Sequence, residues 1–279
     1  MRSKVFTGDN VPGGKREGIL FTLLTFLISW ACWGALILFG IPAKVNALST
    51  LLYLLGGLAP TAVAFMLPLF FGRAERRTRY KKYFKFKTQA RYYLLPLVAA
   101  VLMASVSFGA VFLLDAKAAA NLKIQPLRMI FPMFLSMVIG GGLEEFGWRG
   151  ILVDQLRKAH PAFISLGVGL VWALWHIPLF YLAGVGRYHA DFLPFLITII
   201  AYSFVLTPLY LKSGSVLPCI LFHALANTFG ELGVQFGSGL HTAAMIESLA
   251  KLVIGVAAFL VLNSKKLETR KQKQLILLP

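Results

Sequence analysis

The stretch from Gly140 to Gly150 contains the side chains of this sequence that are best suited to chemistry. It reads Gly-Gly-Gly-Leu-Glu-Glu-Phe-Gly-Trp-Arg-Gly and carries two adjacent carboxylates, Glu144 and Glu145, followed by the guanidinium of Arg149. The surrounding chain is strongly apolar, and ionisable side chains at membrane depth cost about 2.5–3.5 kcal/mol each on insertion scales. Such groups are retained mainly where they act, so this stretch is the first candidate for a functional site.

The two glutamates are predicted to have different tasks. Neighbouring residues on a helix project about 100° apart, so Glu144 and Glu145 cannot address the same point. Arg149 follows Glu145 by four residues, which is the favourable order for an ion pair on one helix face. We therefore predict that Glu145 and Arg149 are structural partners and that Glu144 is free for chemistry. The alternative is that both carboxylates merely cap or pair within a loop at the membrane surface.

Two later segments add imidazole and amide groups. His176 ends an apolar segment and lies four residues after Trp172, while His223 and Asn227 lie one turn apart on another. Positions four residues apart share a helix face. Inward polar side chains on an apolar helix need partners or a wet pocket, so His223 and Asn227 are predicted to line one. Glu231 lies one turn further along and is a weaker candidate for orienting His223.

A glutamate, two histidines and an asparagine from three helices can form a site that activates water. A carboxylate in a poorly solvated pocket suits the role of general base, and Glu144 is the candidate. His176 would share the proton of the water or pass one to a leaving amine. The N–H groups of His223 and Asn227 would stabilise the oxyanion of a tetrahedral intermediate. No serine nucleophile is needed, and the sequence has no G-x-S-x-G elbow.

A zinc site was weighed against this metal-free site. The sequence has no H-E-x-x-H or H-x-x-E-H spacing, and asparagine is an unusual zinc ligand. Cys32 and Cys219 both lie in apolar segments, which indicates buried thiols and no disulfide framework or thiolate metal site. We therefore predict no metal and no other cofactor, and a zinc-dependent version of the same site is the alternative.

Three motifs, in this order and at these spacings, resemble the signatures of the CPBP (Abi) intramembrane proteases, described as glutamic proteases or metalloproteases. That family includes the type II CAAX prenyl endopeptidases and bacterial proteins linked to bacteriocin processing or immunity. The resemblance covers about 127–236, and each motif is specific only in combination with the other two. The motifs are Glu144-Glu145-x-x-x-Arg149, Trp172-x-x-x-His176 and His223-x-x-x-Asn227.

The resemblance implies an eight-span membrane endopeptidase of the glutamic type. By that resemblance, Glu144 and His176 would activate the water, and His223 and Asn227 would form the oxyanion site. Many family members have phenylalanine at the first position of the second motif, so the aromatic ring is expected to pack and not to react. The supporting residues would be Glu145, Arg149 and Trp172.

The composition places these motifs in an all-α membrane protein. The chain has 279 residues, of which 58% are hydrophobic and 14% charged, whereas soluble domains carry about 25% charged residues. We predict one polytopic helix bundle (19–262) with a protease-like core at about 127–236, a polar cytoplasmic N-terminal tail (1–18) and a basic cytoplasmic C-terminal tail (263–279). The eight apolar segments that span or nearly span a bilayer are Ile19–Ile41, Leu48–Phe71, Tyr92–Leu114, Leu127–Leu143, Phe163–Leu182, Phe192–Leu211, Val216–Phe236 and Ala243–Leu262. The fourth is short if it ends at Leu143 and long if it continues through the acidic motif towards Arg157.

The charge pattern supports this topology. The chain contains 28 Lys and Arg against 11 Asp and Glu, and most of the basic residues lie between apolar segments. That distribution favours contact with anionic headgroups and argues against nucleic-acid binding. Eight spans place the basic loop Arg73–Arg91 and both termini in the cytoplasm, and we predict that this loop contacts membrane lipids. No cleaved signal peptide is expected, and the predicted location is a bacterial plasma membrane.

The favoured function is an intramembrane endopeptidase of the CAAX-protease or bacteriocin-processing type. Its partner would be a hydrophobic or lipidated peptide that enters from the face bearing Arg157 and Lys158. The first alternative is a membrane immunity or binding protein that uses the same cavity without proteolysis. A small-molecule or ion carrier ranks last, because carriers often show inverted repeats and none is apparent here.

Overall fold

The computed structural model describes residues 14–120, 125–233 and 241–264. The predicted C-terminal tail lies outside these residues except at its first two positions, and so does the predicted N-terminal tail up to residue 13. Helix α1 begins at Gly14, so the end of the predicted N-terminal tail is already helical. The described residues form helices, turns and loops without a strand, which confirms the predicted all-α class.

The helices follow the apolar segments of the sequence. Between α6 and α7 the chain passes through a 3₁₀ turn (Gly142–Glu144), a short α turn (Glu145–Gly147), a π-helical turn (Trp148–Val153) and a last α turn (Asp154–Leu156). We call residues 142–156 the motif segment. The helices are α1 (Gly14–Leu38), α2 (Ala47–Met66), α3 (Arg73–Tyr83), α4 (Arg91–Leu114), α5 (Ala116–Ala120), α6 (Ile130–Gly140), α7 (Pro161–Trp175), α8 (Phe192–Ser213), α9 (Leu217–Gly233) and α10 (His241–Asn263).

Six helical stretches in the described ranges are long and apolar enough to cross a membrane. Helices also occupy the other two predicted positions, but α7 has 15 residues and α9 has 17, fewer than the ~20 of a typical span. The count of eight and the placement of the termini therefore stay predictions. The fourth predicted segment does not end at Leu143, since the stretch Leu127–Leu156 continues through the acidic motif. Irregular backbone is tolerated at this depth where protein surrounds it.

The motif segment lies inside the bundle because α1 and α2 approach it closely at Gly147. A Cβ atom at this position would lie 2.5 Å from the ring of Phe21 and 2.8 Å from the carbonyl oxygen of Pro60. Only glycine leaves room for both helices. The adjoining Trp148 is fully buried and makes an edge contact with Phe21, with ring centroids 5.3 Å apart. The acidic motif is thus held from both sides by the first two helices.

Helix α3 fastens the other side of the motif segment. Its Arg79 is buried and donates to the carbonyl oxygen of Gly150 at 2.7 Å, to Asp154 at 3.2 Å and to Glu17 of α1 at 2.5 Å. The ring of Tyr83 covers Gly150, where a Cβ atom would lie only 2.7 Å from it. One carbonyl oxygen of the π-helical turn, that of Gly150, therefore accepts a hydrogen bond from the guanidinium of Arg79.

Asp154 is the centre of this buried charge network. Lys82 and Arg157 form ion pairs with it, and the hydroxyl of Tyr210 in α8 donates to it at 2.9 Å. Burial lowers the pKa of Lys82 to about 8, although the charge of Asp154 opposes that shift. The network joins α3, the motif segment and α8.

These contacts define the two ends of the bundle. At the α3 end, Thr88 donates to the carbonyl oxygen of Ser213, the last residue of α8, at 3.2 Å. The opposite end carries the loop 183–191, which precedes α8. There the amide of Ala43 donates to the carbonyl oxygen of Ala183 at 2.8 Å. Each site residue therefore lies nearer either to the α3 end or to the end with the loop 183–191.

Candidate active site

Glu144 is the last residue of the 3₁₀ turn, which begins at the third of three successive glycines. Glu144 as a whole is only 5% exposed. One carboxylate oxygen, Oε2, accepts hydrogen bonds from the indole N–H groups of Trp148 at 3.1 Å and Trp172 at 2.8 Å. Glycine is a poor helix former, and the helix is interrupted at this glycine run before the acidic pair. The two indoles thus hold the carboxylate through Oε2, and neither of them donates to Oε1.

Glu145 points to different partners, as predicted. It is fully buried and forms an ion pair with Arg149 at 3.0 Å, which confirms the expected pairing. Its Oε1 also lies 2.9 Å from Nδ1 of His223. The carboxylate that orients His223 is therefore Glu145. The suggestion that Glu231 has this role is wrong, and Glu231 is exposed near the end of α9.

The partners of the two histidines indicate where each ring carries its hydrogen. Nδ1 of His176 lies 2.8 Å from the carbonyl oxygen of Trp172, and Nδ1 of His223 faces the carboxylate of Glu145. A carbonyl or carboxylate oxygen only accepts, so Nδ1 is the donor in both rings. In the neutral ring, Nε2 then keeps its lone pair and can accept a proton. His176 is half-buried, and its Nε2 is thus available for proton transfer.

His223 and Asn227 lie side by side against the glycine break. A Cβ atom at Gly141 would lie 2.8 Å from Nε2 of His223 and 2.9 Å from Nδ2 of Asn227. Both nitrogen atoms therefore lie close to the backbone of Gly141, three residues before Glu144. His223 and Asn227 thus share a face of α9 that meets the glycine break, and the wet pocket that they are predicted to line stays a prediction. A side chain larger than glycine at position 141 would displace one of the two groups.

Trp172 connects all of these parts. Its ring centroid lies 5.0 Å from that of His223 and 6.2 Å from that of His176, and the guanidinium of Arg149 lies 4.9 Å over its ring. Its N–H donates to Glu144. The ring packs, as expected, and its N–H adds a hydrogen bond that phenylalanine could not make.

Trp148 is a contributor that the sequence analysis missed. Its indole N–H donates to Glu144 from the next turn of the same chain segment. The signal was present, since a tryptophan four residues after an acidic residue shares its helix face. The structure thus brings together the predicted residues and adds this second indole. The catalytic roles of those residues stay predictions.

The site lies closer to the end of the bundle that carries the loop 183–191 than expected. The ring of His176 contacts Phe195, near the start of α8, with centroids 4.9 Å apart. Trp30, in the second half of α1, donates to the carbonyl oxygen of Trp175 at 3.0 Å. Access from the face with Arg157 and Lys158 was expected, but those residues follow the motif segment at the α3 end. The part of the site that carries His176 therefore lies towards the opposite end of the bundle, the one with the loop 183–191. This position favours access from that end.

Within the described ranges, no three His, Cys, Asp or Glu side chains are grouped closely enough to hold a metal ion. Catalytic zinc sites use three protein ligands of this kind. Cys32 is half-buried and Cys219 is buried, and both are free thiols as predicted.

The fold and the site define an all-helical membrane protein with a glutamate and two histidines in its interior. Residues 126–229 match the model of the family described as type II CAAX prenyl endopeptidase Rce1-like. A stretch of 109 residues is 30% identical to CAAX prenyl protease 2 of Methanococcus maripaludis, and it covers 36% of this chain and 40% of that protein. The chain thus matches less than half the length of this curated relative.

The segment 126–229 is therefore similar to the Rce1-like CAAX protease family. This match confirms the resemblance that the three motifs indicated. The similarity supports an intramembrane endopeptidase.

Proposed function

We propose that this protein is an intramembrane endopeptidase in which Glu144 activates a water molecule. One observation carries the proposal: Glu144, His176 and His223 all contact Trp172, although they come from three separate parts of the chain. Burial of three ionisable groups around one ring is costly in a membrane protein unless the groups act together.

In the proposed reaction, Glu144 removes a proton from water, and the resulting hydroxide attacks the carbonyl carbon of the peptide. Asn227 donates its amide N–H to the oxyanion. His223 adds a second donor from Nε2 when that nitrogen carries a proton, while its Nδ1 lies 2.9 Å from Oε1 of Glu145. Glu144 passes this proton to Nε2 of His176, and His176 hands it to the leaving nitrogen as the C–N bond breaks. The water is thereby divided between a new carboxyl group and a new amine.

The proposed substrate is a hydrophobic or lipidated peptide. The curated relative is named a CAAX prenyl protease, and a site at membrane depth favours a substrate that partitions into the bilayer. A protein that binds such a peptide without cutting it, as in bacteriocin immunity, would need the same cavity but not the proton acceptor. The two functions therefore differ in their dependence on Glu144.

The test is cleavage of quenched fluorescent peptides, one farnesylated and one only hydrophobic, by the purified full chain in detergent. We expect Glu144→Gln to lower kcat/KM by at least a thousandfold, because removal of the base abolishes the attack. Glu231→Gln is the matched control, and the exposed Glu231 should tolerate it within twofold. Equal cleavage by Glu144→Gln and the wild type would remove the mechanism. Peptide binding without cleavage by the wild type would favour the binding protein.

We also propose that the outer face of α3 binds anionic lipid headgroups at the membrane surface. A shallow cavity of about 640 Å³ on this face is lined by four cations and two aromatic side chains. Phe84 is 52% exposed beside it, and Phe70 is 78% exposed, which suits burial among headgroups and acyl chains. The lining residues are Arg73, Arg76, Arg77, Tyr80, Lys81 and Phe84.

Retention of phosphatidylglycerol during purification, measured by mass spectrometry, tests this lipid contact. Combined Arg77→Gln and Lys81→Gln substitutions should reduce it relative to phosphatidylcholine, since each cation near an anionic surface contributes about 1 kcal/mol. Unchanged retention would contradict the proposed contact.

A further inference from the structure

Trp175, the last residue of α7, contacts both of the groups that support the proposed proton transfer. The centroid of its ring lies 4.5 Å from that of His176 and 5.7 Å from that of Trp148, the indole that donates to Glu144. Trp175 is only 1% exposed. Because buried side chains are closely packed, a change in the position of Trp175 would displace both neighbours. The contacts of Trp175 therefore bear on the separation between His176 and Glu144.

The carbonyl oxygen of Trp175 receives a hydrogen bond from α1. The last carbonyl groups of a helix have no partner within that helix. Three residues after Trp175 the chain has Pro178, which carries no N–H, and the amide of Leu179 donates to the carbonyl oxygen of His176 at 2.9 Å. The indole N–H of Trp30 lies 3.0 Å from the carbonyl oxygen of Trp175 and donates to it. Helix α1 thus supplies the donor that Pro178 cannot provide.

Helix α1 also holds the side chain of Trp175. The indole N–H donates to the hydroxyl oxygen of Ser29 at 2.7 Å, and that hydroxyl donates to the carbonyl oxygen of Gly56 in α2, also at 2.7 Å. Ser29 is fully buried, so water cannot replace its hydroxyl without a rearrangement. Two neighbouring residues of α1 therefore fix both the backbone and the ring of Trp175.

These contacts come from a part of the chain outside the segment that matches the CAAX protease family. The match covers residues 126–229, which include all of the residues assigned to catalysis. Ser29 and Trp30 belong to the first helix, and Gly56 belongs to the second. The residues that hold the end of α7 are therefore not assigned by the match to the family.

We propose that Ser29 and Trp30 are positioning residues for His176, an assignment that rests on the proposed peptidase function. Both act through Trp175 and neither touches the substrate. While Trp175 is fixed, Nε2 of His176 stays where it takes the proton from Glu144 and passes it to the leaving nitrogen. Proton transfer requires a hydrogen-bond distance of about 2.6–3.2 Å, and a misplacement of about 1 Å costs on the order of 100-fold in rate.

The experiment compares a peptide with an analogue in which a thioester replaces the scissile amide, using the purified full chain in detergent. An amine needs a proton to leave, whereas a thiolate leaves as the anion because the pKa of a thiol is only about 8.5. Ser29→Ala and Trp30→Phe should each lower kcat for the peptide by about 10- to 100-fold and leave KM within about threefold. Thioester hydrolysis should stay within about threefold of the wild type, because this substrate does not use the proton of His176.

Thr25→Val is the matched control for Ser29→Ala. Thr25 lies one turn before Ser29 on the same face of α1 and is fully buried, and in the described ranges its hydroxyl has no hydrogen-bond partner. This change should leave the ratio of peptide to thioester hydrolysis unchanged. His176→Ala provides the reference, since it should lose peptide cleavage and keep thioester hydrolysis. Adding Ser29→Ala to His176→Ala should cause no further loss, because both changes act on one group.

Two kinetic results would overturn the assignment. One is an equal loss of peptide and thioester hydrolysis in Ser29→Ala and Trp30→Phe, which would indicate a general loss of folded protein. The other is a further loss of peptide cleavage when Ser29→Ala is added to His176→Ala, since the two residues would then act independently.

A readout that needs no catalysis separates failure of this assignment from failure of the proposed function. Nitrogen NMR of the histidine rings reports whether Nδ1 of His176 carries the hydrogen that faces the carbonyl oxygen of Trp172. A changed signal of His176 in Ser29→Ala, but not in Thr25→Val, would support the positioning role even if the wild type cleaves neither substrate. Cleavage by the wild type, with the signal of His176 unchanged in Ser29→Ala and Trp30→Phe, would refute the role of α1 and leave the peptidase function intact.

Discussion

Replacing Trp172 by phenylalanine removes the indole N–H that lies 2.8 Å from Oε2 of Glu144 and keeps an aromatic ring on α7. Trp172 is fully buried, so no water replaces the lost donor without rearrangement. Hydrogen bonds to charged groups contribute about 1.5–3 kcal/mol, and each 1.36 kcal/mol is tenfold in rate. We therefore expect kcat/KM to fall by roughly 10- to 150-fold. The low-pH limb of the activity profile should also move to higher pH, because the ionised base has lost one of its two indole donors.

Trp33→Phe is the matched control for this change. Trp33 is equally buried and donates to the carbonyl oxygen of Tyr53 at 3.1 Å, without a contact to Glu144. It should lower thermal stability by a similar amount but leave the pH profile unchanged. Activity and pH profile are measured with the same peptide in detergent. A Trp172→Phe protein with wild-type activity and an unmoved profile would refute the idea that the indoles position the base. An equal shift in Trp33→Phe would show a general packing effect instead.

The other predictions concern the glycine break, the buried charges and metal dependence. Gly141→Ala should lower kcat/KM at least tenfold by displacing the nitrogens 2.8 and 2.9 Å from the new methyl group, whereas Gly140→Ala, with nothing within 4 Å, should retain activity. Glu145→Gln should cost about 3–5 kcal/mol of stability, because it leaves a buried guanidinium without its carboxylate; thermal unfolding in detergent measures this, and an unchanged Tm would contradict it. Arg79→Gln should destabilise by a similar amount, while the exposed Arg77→Gln should stay within about 0.5 kcal/mol. Dialysis against a chelator should leave peptide cleavage unchanged, and a loss that zinc restores would favour the metal-dependent alternative.

Local patterns were sufficient to predict where most of the helices lie. Apolar segments of about 20 residues have few alternatives to helices in a membrane, so each predicted segment overlaps a described helix. The pairing of Glu145 with Arg149 was also predictable, since it needs only a spacing of four residues. The same spacing would have indicated Trp148 as a partner of Glu144.

Contacts between distant parts of the chain were harder to predict. Glu145 meets His223 across 78 positions, and no periodicity within either helix encodes that meeting. Sequence reasoning chose Glu231 because it shares a helix face with His223, which is a local criterion. The basic loop was interpreted as surface throughout, yet Arg79 is buried because Glu17, Gly150 and Asp154 surround it. Burial of a cation depends on partners that the local sequence does not show.

The network around Arg79 has a consequence for the order in which the protein assembles in its membrane. Glu17 and Arg79 are 62 positions apart, and Asp154 follows Arg79 by 75 positions. During synthesis, the first two helices and α3 leave the ribosome well before Asp154 is made. Until then, the Arg79 guanidinium has only Glu17 as a carboxylate from this network, so it should stay hydrated at the bilayer surface. Docking of α3 therefore waits for the fourth predicted span, and Glu144 and Glu145 become buried only when that late step is complete.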